Sequence, residues 1–548
     1  MTRGSYLTLQ SLTRCSYLTL QFPGTVSLFF VQKCKRLLLL CQPKHLDRCK
    51  KYIIREDHTM KSSSVKLTCL LLALLASGGS LLSCGESGDT VGEQNTADPA
   101  VTETAAETEA PAALTLLPEA DYGAHDLRIL LLEEDDRYVD IMTEGMENGD
   151  IMNDLVFRRN RAVEEKYNIT VTGERADPNV VNDTVRRQVS AGDSAYDLYF
   201  VKGCANNLAA EGYLHDLTVL PNVDLSQPWW DQTAVSGLSV GQHLYAATGD
   251  ITPSSLLTSA CLVFNKQLFE NYDIEKPYDI ARDGKWTIDY MNSLTRGLTT
   301  DVNADGAFDY RTDLFTLSSW YSDSAFSLFY GCGGTMSKKD ADDIPVISYN
   351  MDKFAQIYEK IYSLVIDSGS YFVTDRNLYE TTYECFNAGN AFFCDITLQK
   401  IGLFLRDMKD DFGILPMPKL DESQNAYVAH VNGAAGFIVV PSNAPDAART
   451  GMIVEALAAS AYDMITPSLY EVIVKTKNVT DTESAEMVDL IIRNRVFDPY
   501  YMYTLSGFDF VKTQLDTRSE NISSTLEKNA SRAEKDLAKI VDAYSSID

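Results

Sequence analysis

Histidine is scarce in this chain, and basic residues are outnumbered: six histidines in 548 residues, and 48 Lys and Arg against 77 Asp and Glu. The histidines at 125, 215, 243 and 430 are scattered, with no His-Glu-x-x-His pair, so a zinc hydrolase has no ligand set here. Cysteines at 204, 261, 332, 385 and 394 follow no paired metal spacing, and five cannot all pair with one another; they read as buried small hydrophobes. Methionine is missing between Met1 and Met60, and the apolar run Leu67 to Leu75 is about half of the ~20 residues needed to span a bilayer. No organic cofactor is implied. Gly237-Leu238-Ser239-Val240-Gly241 matches a hydrolase nucleophile elbow, which needs a strand before the serine and a helix after it. Here Pro228-Trp229-Trp230-Asp231 precedes it and a strand-like His243-Leu244-Tyr245-Ala246 follows, so the motif reads as a turn and no catalytic residue is assigned.

What is present begins with a segment opening at Met60. Lys61 and Lys66 precede the apolar run, and small residues Ala76-Ser77-Gly78-Gly79-Ser80 lead into Leu81-Leu82-Ser83-Cys84-Gly85. Charged, apolar and small residues in that order form a secretory signal, expected over 60–83. Its end resembles a bacterial lipoprotein lipobox. That resemblance implies lipidation of Cys84, with a thioether-linked diacylglycerol and a palmitate-type acyl anchor, at the extracellular face of the cell membrane.

Residues 1–59 carry an imperfect tandem repeat, ten basic and three acidic residues and four of the eleven cysteines, and are expected to lie outside the folded protein as a misassigned or removed leader. Setting aside that segment and the two lysines of the signal leaves 36 Lys and Arg against 74 Asp and Glu from Cys84 onward, near −38. Such a balance argues against nucleic acid or anionic lipid as a partner. From Gly85 to about Ala120 the composition turns to Thr, Ala, Glu, Gly and Pro, so 84–123 is expected to be a disordered acidic tether.

The folded body, 124–548, is long enough for two globular units. Leu127-Arg128-Ile129-Leu130-Leu131-Leu132 suits a strand covered on both faces. A helical pattern around Ile151–Val163, the strand Ile169-Thr170-Val171-Thr172, a second helix around Val185–Val189 and the strand Tyr196–Val201 follow. Alternation of this kind predicts an α/β fold with a parallel sheet and right-handed crossovers. Ligands in such sheets sit beyond the carboxyl ends of the strands, here at Glu134, Asp136 and Lys202.

Several stretches, in order, resemble the extracellular solute-binding proteins of ABC importers, the family that includes maltose-type sugar receptors. They are Ala191–Leu198, Gly212–Leu217, Leu262–Phe269, Gly284–Thr287, Phe386–Phe393 and Phe412–Lys419. The resemblance spans nearly all of 127–500. It implies a two-lobed periplasmic-binding-protein-like fold, each lobe a mostly parallel sheet flanked by helices, hinged by chain crossings near 250–260 and 430–440. The expected division is lobe 1 at 124–252 with 434–480, lobe 2 at 253–433, and C-terminal helices at 481–548. A monomer that hands its solute to permease subunits is implied. Sugar rings offer an apolar face for stacking while carboxylates and amides bond hydroxyls, which makes Trp229, Trp230, Trp320 and Tyr330 the aromatic candidates. One of Trp229 and Trp230 is expected to line the cleft and the other to pack in the core. Asp250, Asp395 and Asn432 are the polar candidates, beside Glu134, Asp136 and Lys202.

Asp301-Val302-Asn303-Ala304-Asp305-Gly306-Ala307-Phe308-Asp309 has calcium-loop spacing, with Thr312 where an EF-hand carries its bidentate Glu and Asp313 next to it. A structural calcium on Asp301, Asn303, Asp305 and Asp309 is expected; an acidic surface turn is the alternative. The function expected is capture of a solute, a carbohydrate or oligosaccharide, without covalent chemistry. A lipid-anchored glycoside hydrolase using two carboxylates and a sensory or scaffold lipoprotein are the other readings.

Overall fold

A computed structural model describes residues 111–133, 140, 145–469, 482–519 and 522–547. The leader, the signal, Cys84, Glu134 and Asp136 lie outside the described residues. The strand His125–Leu132 (β1) buries Leu127, Ile129, Leu130 and Leu131, as a strand covered on both faces must. Asp150 starts the helix Ile151–Tyr167 by accepting from Asn153 N at 3.0 Å. Ile169–Ala176 (β2) then runs parallel to β1 from His125↔Ile169 to Leu132↔Ala176. The helix Pro178–Ala191, capped by Asp177 and closed by Gly192 at φ 68°, leads to Leu198–Lys202 (β3), parallel on the other side of β1.

The chain then leaves this sheet. Ala260–Asn265 (β4) and Phe315–Trp320 (β5) begin a second sheet, and an antiparallel ribbon follows, Ser337–Lys339 (β6) with Pro345–Ile347 (β7). Tyr371–Val373 (β8), Ala391–Thr397 (β9) and Phe412–Leu415 (β10) complete it in the order β10-β4-β9-β5-β8. The short strand Ala429–His430 (β11) precedes Gly436–Val439 (β12), which returns to the first sheet to give β12-β3-β1-β2. Arg495–Val496 (β13) lies parallel to β11.

Among the described residues each sheet has one strand running against the rest, and in each it is the strand on which the chain arrives. β4 is antiparallel to β9 and β10, and β12 is antiparallel to β3. The register gives the reason. Ala260 begins β4 opposite Thr397, the end of β9, and Gly436 begins β12 opposite Lys202, the end of β3. Each crossing therefore enters at the edge where the parallel strands finish. A third crossing leaves the helix Ala447–Met464, which packs on Ile151–Tyr167 beside the first sheet, and reaches Leu469, buried with the second sheet's Cys261, Val263, Cys394 and Ile396. The five cysteines of the body are free and buried.

The segment just before β1 departs from the disorder expected of it. Ala112–Thr115 forms a helical turn with Ala113 and Leu114 buried, and Ala113 N donates to Asp463 Oδ2 at 2.6 Å. Leu114 and Leu117 supply apolar surface that the Thr-Ala-Glu stretch before them lacks. At the other end the helix Ser523–Tyr544 buries Leu526, Ala533, Leu537 and Ile540, the positions that helical spacing selects, and sets Tyr544 edge-on to Tyr245 at 4.8 Å. No helix among the described residues is long and apolar enough to cross a membrane.

Candidate functional site

The crossings run at the carboxyl ends of β3 in one sheet and of β9 in the other, the ends towards which β1 and β5 also run. On the first, Lys202 is exposed at the end of β3. Asp140, beyond β1, accepts from Ser254 N at 2.9 Å and Ser254 Oγ at 2.6 Å, tying that edge to the first crossing. On the second, Trp320 is the last residue of β5 and stands half-buried at the turn into the helix Tyr321–Gly331. Its ring lies 5.4 Å from Tyr379 and 5.8 Å from Tyr321. Lys400 Nζ is 5.7, 6.0 and 5.2 Å from the ring centres of Trp320, Tyr379 and Tyr383, and it donates to Tyr383 Oη at 2.8 Å. Trp320 Nε1 and Thr397 Oγ1 are buried polar atoms with no hydrogen-bond partner among the described residues. The edge thus combines aromatic faces with an ammonium and two polar atoms whose bonding is not completed by the described chain.

Other candidates fall elsewhere. Trp229 and Trp230 are both core residues, 4 % and 2 % exposed, so neither lines the cleft. Their Nε1 atoms donate to Glu455 Oε1 and Oε2 at 2.9 and 3.0 Å, one carboxylate holding both indoles. Burial pushes the Glu455 carboxyl up to about 7, against the lowering effect of these bonds. Tyr330 is also in the core: its Oη donates to Asp498 Oδ2 at 3.2 Å and its ring stacks on His430 at 4.9 Å. Burial raises the Tyr330 hydroxyl and holds the His430 imidazole down at about 3, so that histidine is neutral. Asp395 is sealed within β9, 2 % exposed, opposite Leu262. Asn432 shapes the return crossing, its amide donating to Thr258 O at 3.1 Å and its side chain accepting from Ala434 N at 2.9 Å. Asp250 sits at the first crossing, hydrogen-bonded to Thr466, and burial raises its pKa to about 7.

Ser239 of the Gly-x-Ser-x-Gly motif follows the helix Gln232–Leu238 and contacts Lys339 of the β6–β7 ribbon, with Asp343 Oδ1 paired to the same lysine at 3.2 Å. The helix precedes the serine and a turn follows, the reverse of an elbow. In the 301–309 loop, Asp301 accepts from the amides of Asp305 and Gly306 at 3.3 and 2.8 Å, Asn303 from Asp305 N at 3.0 Å, and Asp305 from Ala307 N at 2.8 Å. Asp309 accepts from Arg311 N at 3.0 Å, and the buried Asp313 accepts from Val302 N and Asp309 N. Among the described residues no three or more His, Cys, Asp or Glu side chains converge as a metal site.

Lys400, Tyr379 and Tyr383 escaped the sequence reading, although Tyr379 and Tyr383 stand one helical turn apart and Lys400 lies three residues past Thr397. Glu455 and Arg495 had no local signal, because their partners lie more than two hundred residues away.

Two sheets flanked by helices and joined by three crossings at the ends of their parallel strands define a two-lobed α/β architecture. Residues 148–383, which include β2 to β8 and the first crossing, match the family model of the bacterial extracellular solute-binding proteins. Among solved structures it is similar to an ABC substrate-binding protein of Listeria monocytogenes in complex with cycloalternan (13 % identity, 76 % of this chain and 98 % of that one, TM-score 0.47). It is also similar to the galacto-N-biose/lacto-N-biose I-binding protein of Bifidobacterium longum (12 %, 78 % and 98 %, 0.49) and to a maltose/maltodextrin-binding domain of Bdellovibrio bacteriovorus bound to maltotriose (15 %, 77 % and 99 %, 0.45). No curated protein matches the chain.

Proposed function

We propose that this solute-binding protein captures a carbohydrate between the carboxyl-end edges of its two sheets and presents it to the permease subunits of an ABC importer. The observation that carries the reading is the half-buried Trp320 at the end of β5, grouped with Tyr321 and Tyr379 beside the crossings. An aromatic face binds the apolar face of a sugar ring, and Lys400, Thr397 and the opposing Lys202 are suited to its hydroxyls or substituents. Ligand contacts made to both edges at once would favour the closed arrangement. A hydrolase would need two carboxylates converging on one bond, whereas Asp250 belongs to the first crossing and Asp395 is sealed inside β9.

The lipid anchor at Cys84 and an extracellular membrane location belong to the same proposal, supported by Leu81-Leu82-Ser83-Cys84, and a monomeric state is proposed with them. A structural calcium is a separate one, in which the ion would draw Asp301, Asn303, Asp305 and Asp309 off the amides they now hold.

Mass spectrometry of small molecules released from the freshly purified protein tests the capture reading. A released sugar should rebind and compact the protein in solution scattering, and Trp320→Ala should weaken rebinding at least about tenfold, the loss expected of an aromatic contact in a desolvated pocket. A protein that binds no glycan and never compacts would overturn it.

A further inference from the structure

The three segments that join the sheets meet at a buried charge cluster. Asp250 opens the first crossing, its amide donating to Trp229 O at 2.9 Å; at Gly249, beside it, a Cβ would run into that same carbonyl. Thr466, where the third crossing leaves the helix Ala447–Met464, hydrogen-bonds Asp250 Oδ1. Arg495 lies on β13, which pairs with β11 at the head of the return crossing. Its Nη2 is 2.6 Å from Asp231 Oδ2, and Asp231 caps the helix Gln232–Leu238 through Thr233 N and Ala234 N. The remaining N–H groups of Arg495, on Nε and Nη1, are buried with no hydrogen-bond partner among the described residues.

We propose that Arg495 is a pH-controlled latch, using its spare N–H groups to engage Asp250 in a second arrangement of the lobes while it keeps hold of Asp231. The inference rests on reading the two sheets as lobes that move about their crossings. Unpaired buried donors are costly, so an arrangement that brings them an acceptor gains what this one forgoes. Ionised Asp250 is the better acceptor, because its hydrogen bonds to a guanidinium are charge-assisted. In the present arrangement burial favours its protonated form, with a pKa of about 7. The groups facing it are Arg495 from β13, Asp231 from the cap of Gln232–Leu238, Asp463 from the helix Ala447–Met464 and Thr466 just beyond that helix. Glu455, on the same helix as Asp463, faces the two indoles instead. The latched arrangement binds fewer protons, so raising the pH through about 7 drives the population towards it, and lowering the pH releases it.

The test uses the whole chain without ligand, spin-labelled at the exposed Val180 on the first-sheet side and Leu378 on the second, with the label distance distribution recorded from pH ~5.5 to ~8.5, a range bracketing the expected midpoint. The expected result is a shift between two distances centred near the Asp250 pKa, lost in Asp250→Asn. Thr466→Val leaves both charges; the latch as proposed keeps the Thr466 bond, which favours the carboxylate in both arrangements, so its loss should move the midpoint to higher pH, and it decides the matter if Asp250→Asn does not fold. A distribution insensitive to pH, a pH response retained in Asp250→Asn, or an unmoved midpoint in Thr466→Val would each overturn the latch. Compaction by a sugar at fixed pH alongside any of these would leave the capture reading standing.

Discussion

Glu455 shows what one buried acid does for its surroundings. Its two oxygens receive Trp229 Nε1 and Trp230 Nε1, and Oε2 also receives Asp224 N at 3.3 Å. Removing the carboxylate leaves two indole N–H groups buried without an acceptor, each costing roughly 1–3 kcal/mol. Glu455→Ala is therefore expected to lower stability by about 3 kcal/mol in urea denaturation, whereas Glu455→Asp, a shorter acceptor, should lose less. An Ala variant as stable as the parent would show that water replaces the carboxylate. The same residue explains why both tryptophans lie in the core, where one of them is expected in the cleft. An adjacent Trp-Trp pair looks divided between inside and outside, and only the acid 225 positions away reveals that both indoles turn inward. Tyr330 was misread for the same reason, its partner Asp498 lying 168 positions on. Trp320 owes its place to local structure, ending β5 and beginning the helix Tyr321–Gly331, although Phe315-Thr316-Leu317-Ser318-Ser319 is no continuous apolar run.

At the scale of elements, strand runs and helix starts were readable because their causes are local. The continuous apolar stretches of β1 and β3 announce burial on both faces, and Asp150, Asp177 and Thr287 cap the helices that follow them. The reversed strand in each sheet was not readable, since it follows from the edge at which a crossing arrives. The 301–309 loop is readable in its spacing but not in its occupancy. Its carboxylates now serve amides of the same loop, and the buried Asp313 closes the turn. Hard oxygens on a tight Gly-containing turn favour calcium when they can reorient. If they do, calcium chloride should raise the melting temperature of the parent and leave that of Asp305→Ala unchanged. An identical melting curve for the parent in calcium and in chelator would assign the loop to an acidic surface turn.

At the scale of the molecule, the buried acids couple folding to pH in a direction opposite to that of ordinary paired carboxylates. Burial raises Asp250 and Glu455 to about 7 and raises Asp498 as well, above the ordinary range of these carboxyls. A folded-state pKa above the unfolded one means that the native protein holds more protons through the window from about 4 to 7. Across that window stability falls as the pH rises, by up to about 1.4 kcal/mol per pH unit for each such group. Acids lowered by hydrogen bonds, Asp224, Asp421 and Asp536 among them, act only below their unfolded pKa, where stability is lost as the pH drops. The excess of acidic side chains, fully ionised by neutrality, adds self-repulsion that salt screens. The two trends meet near pH 4, and calorimetry should find the highest melting temperature there, declining towards about pH 7 and partly restored by salt. Asp250→Asn removes one of the raised groups without adding charge, so its stability relative to the parent should improve steadily between about pH 4 and 7 and level off above. A difference that stays constant over that range would mean that Asp250 is ionised throughout, and the burial that raises it would have to be relieved in solution.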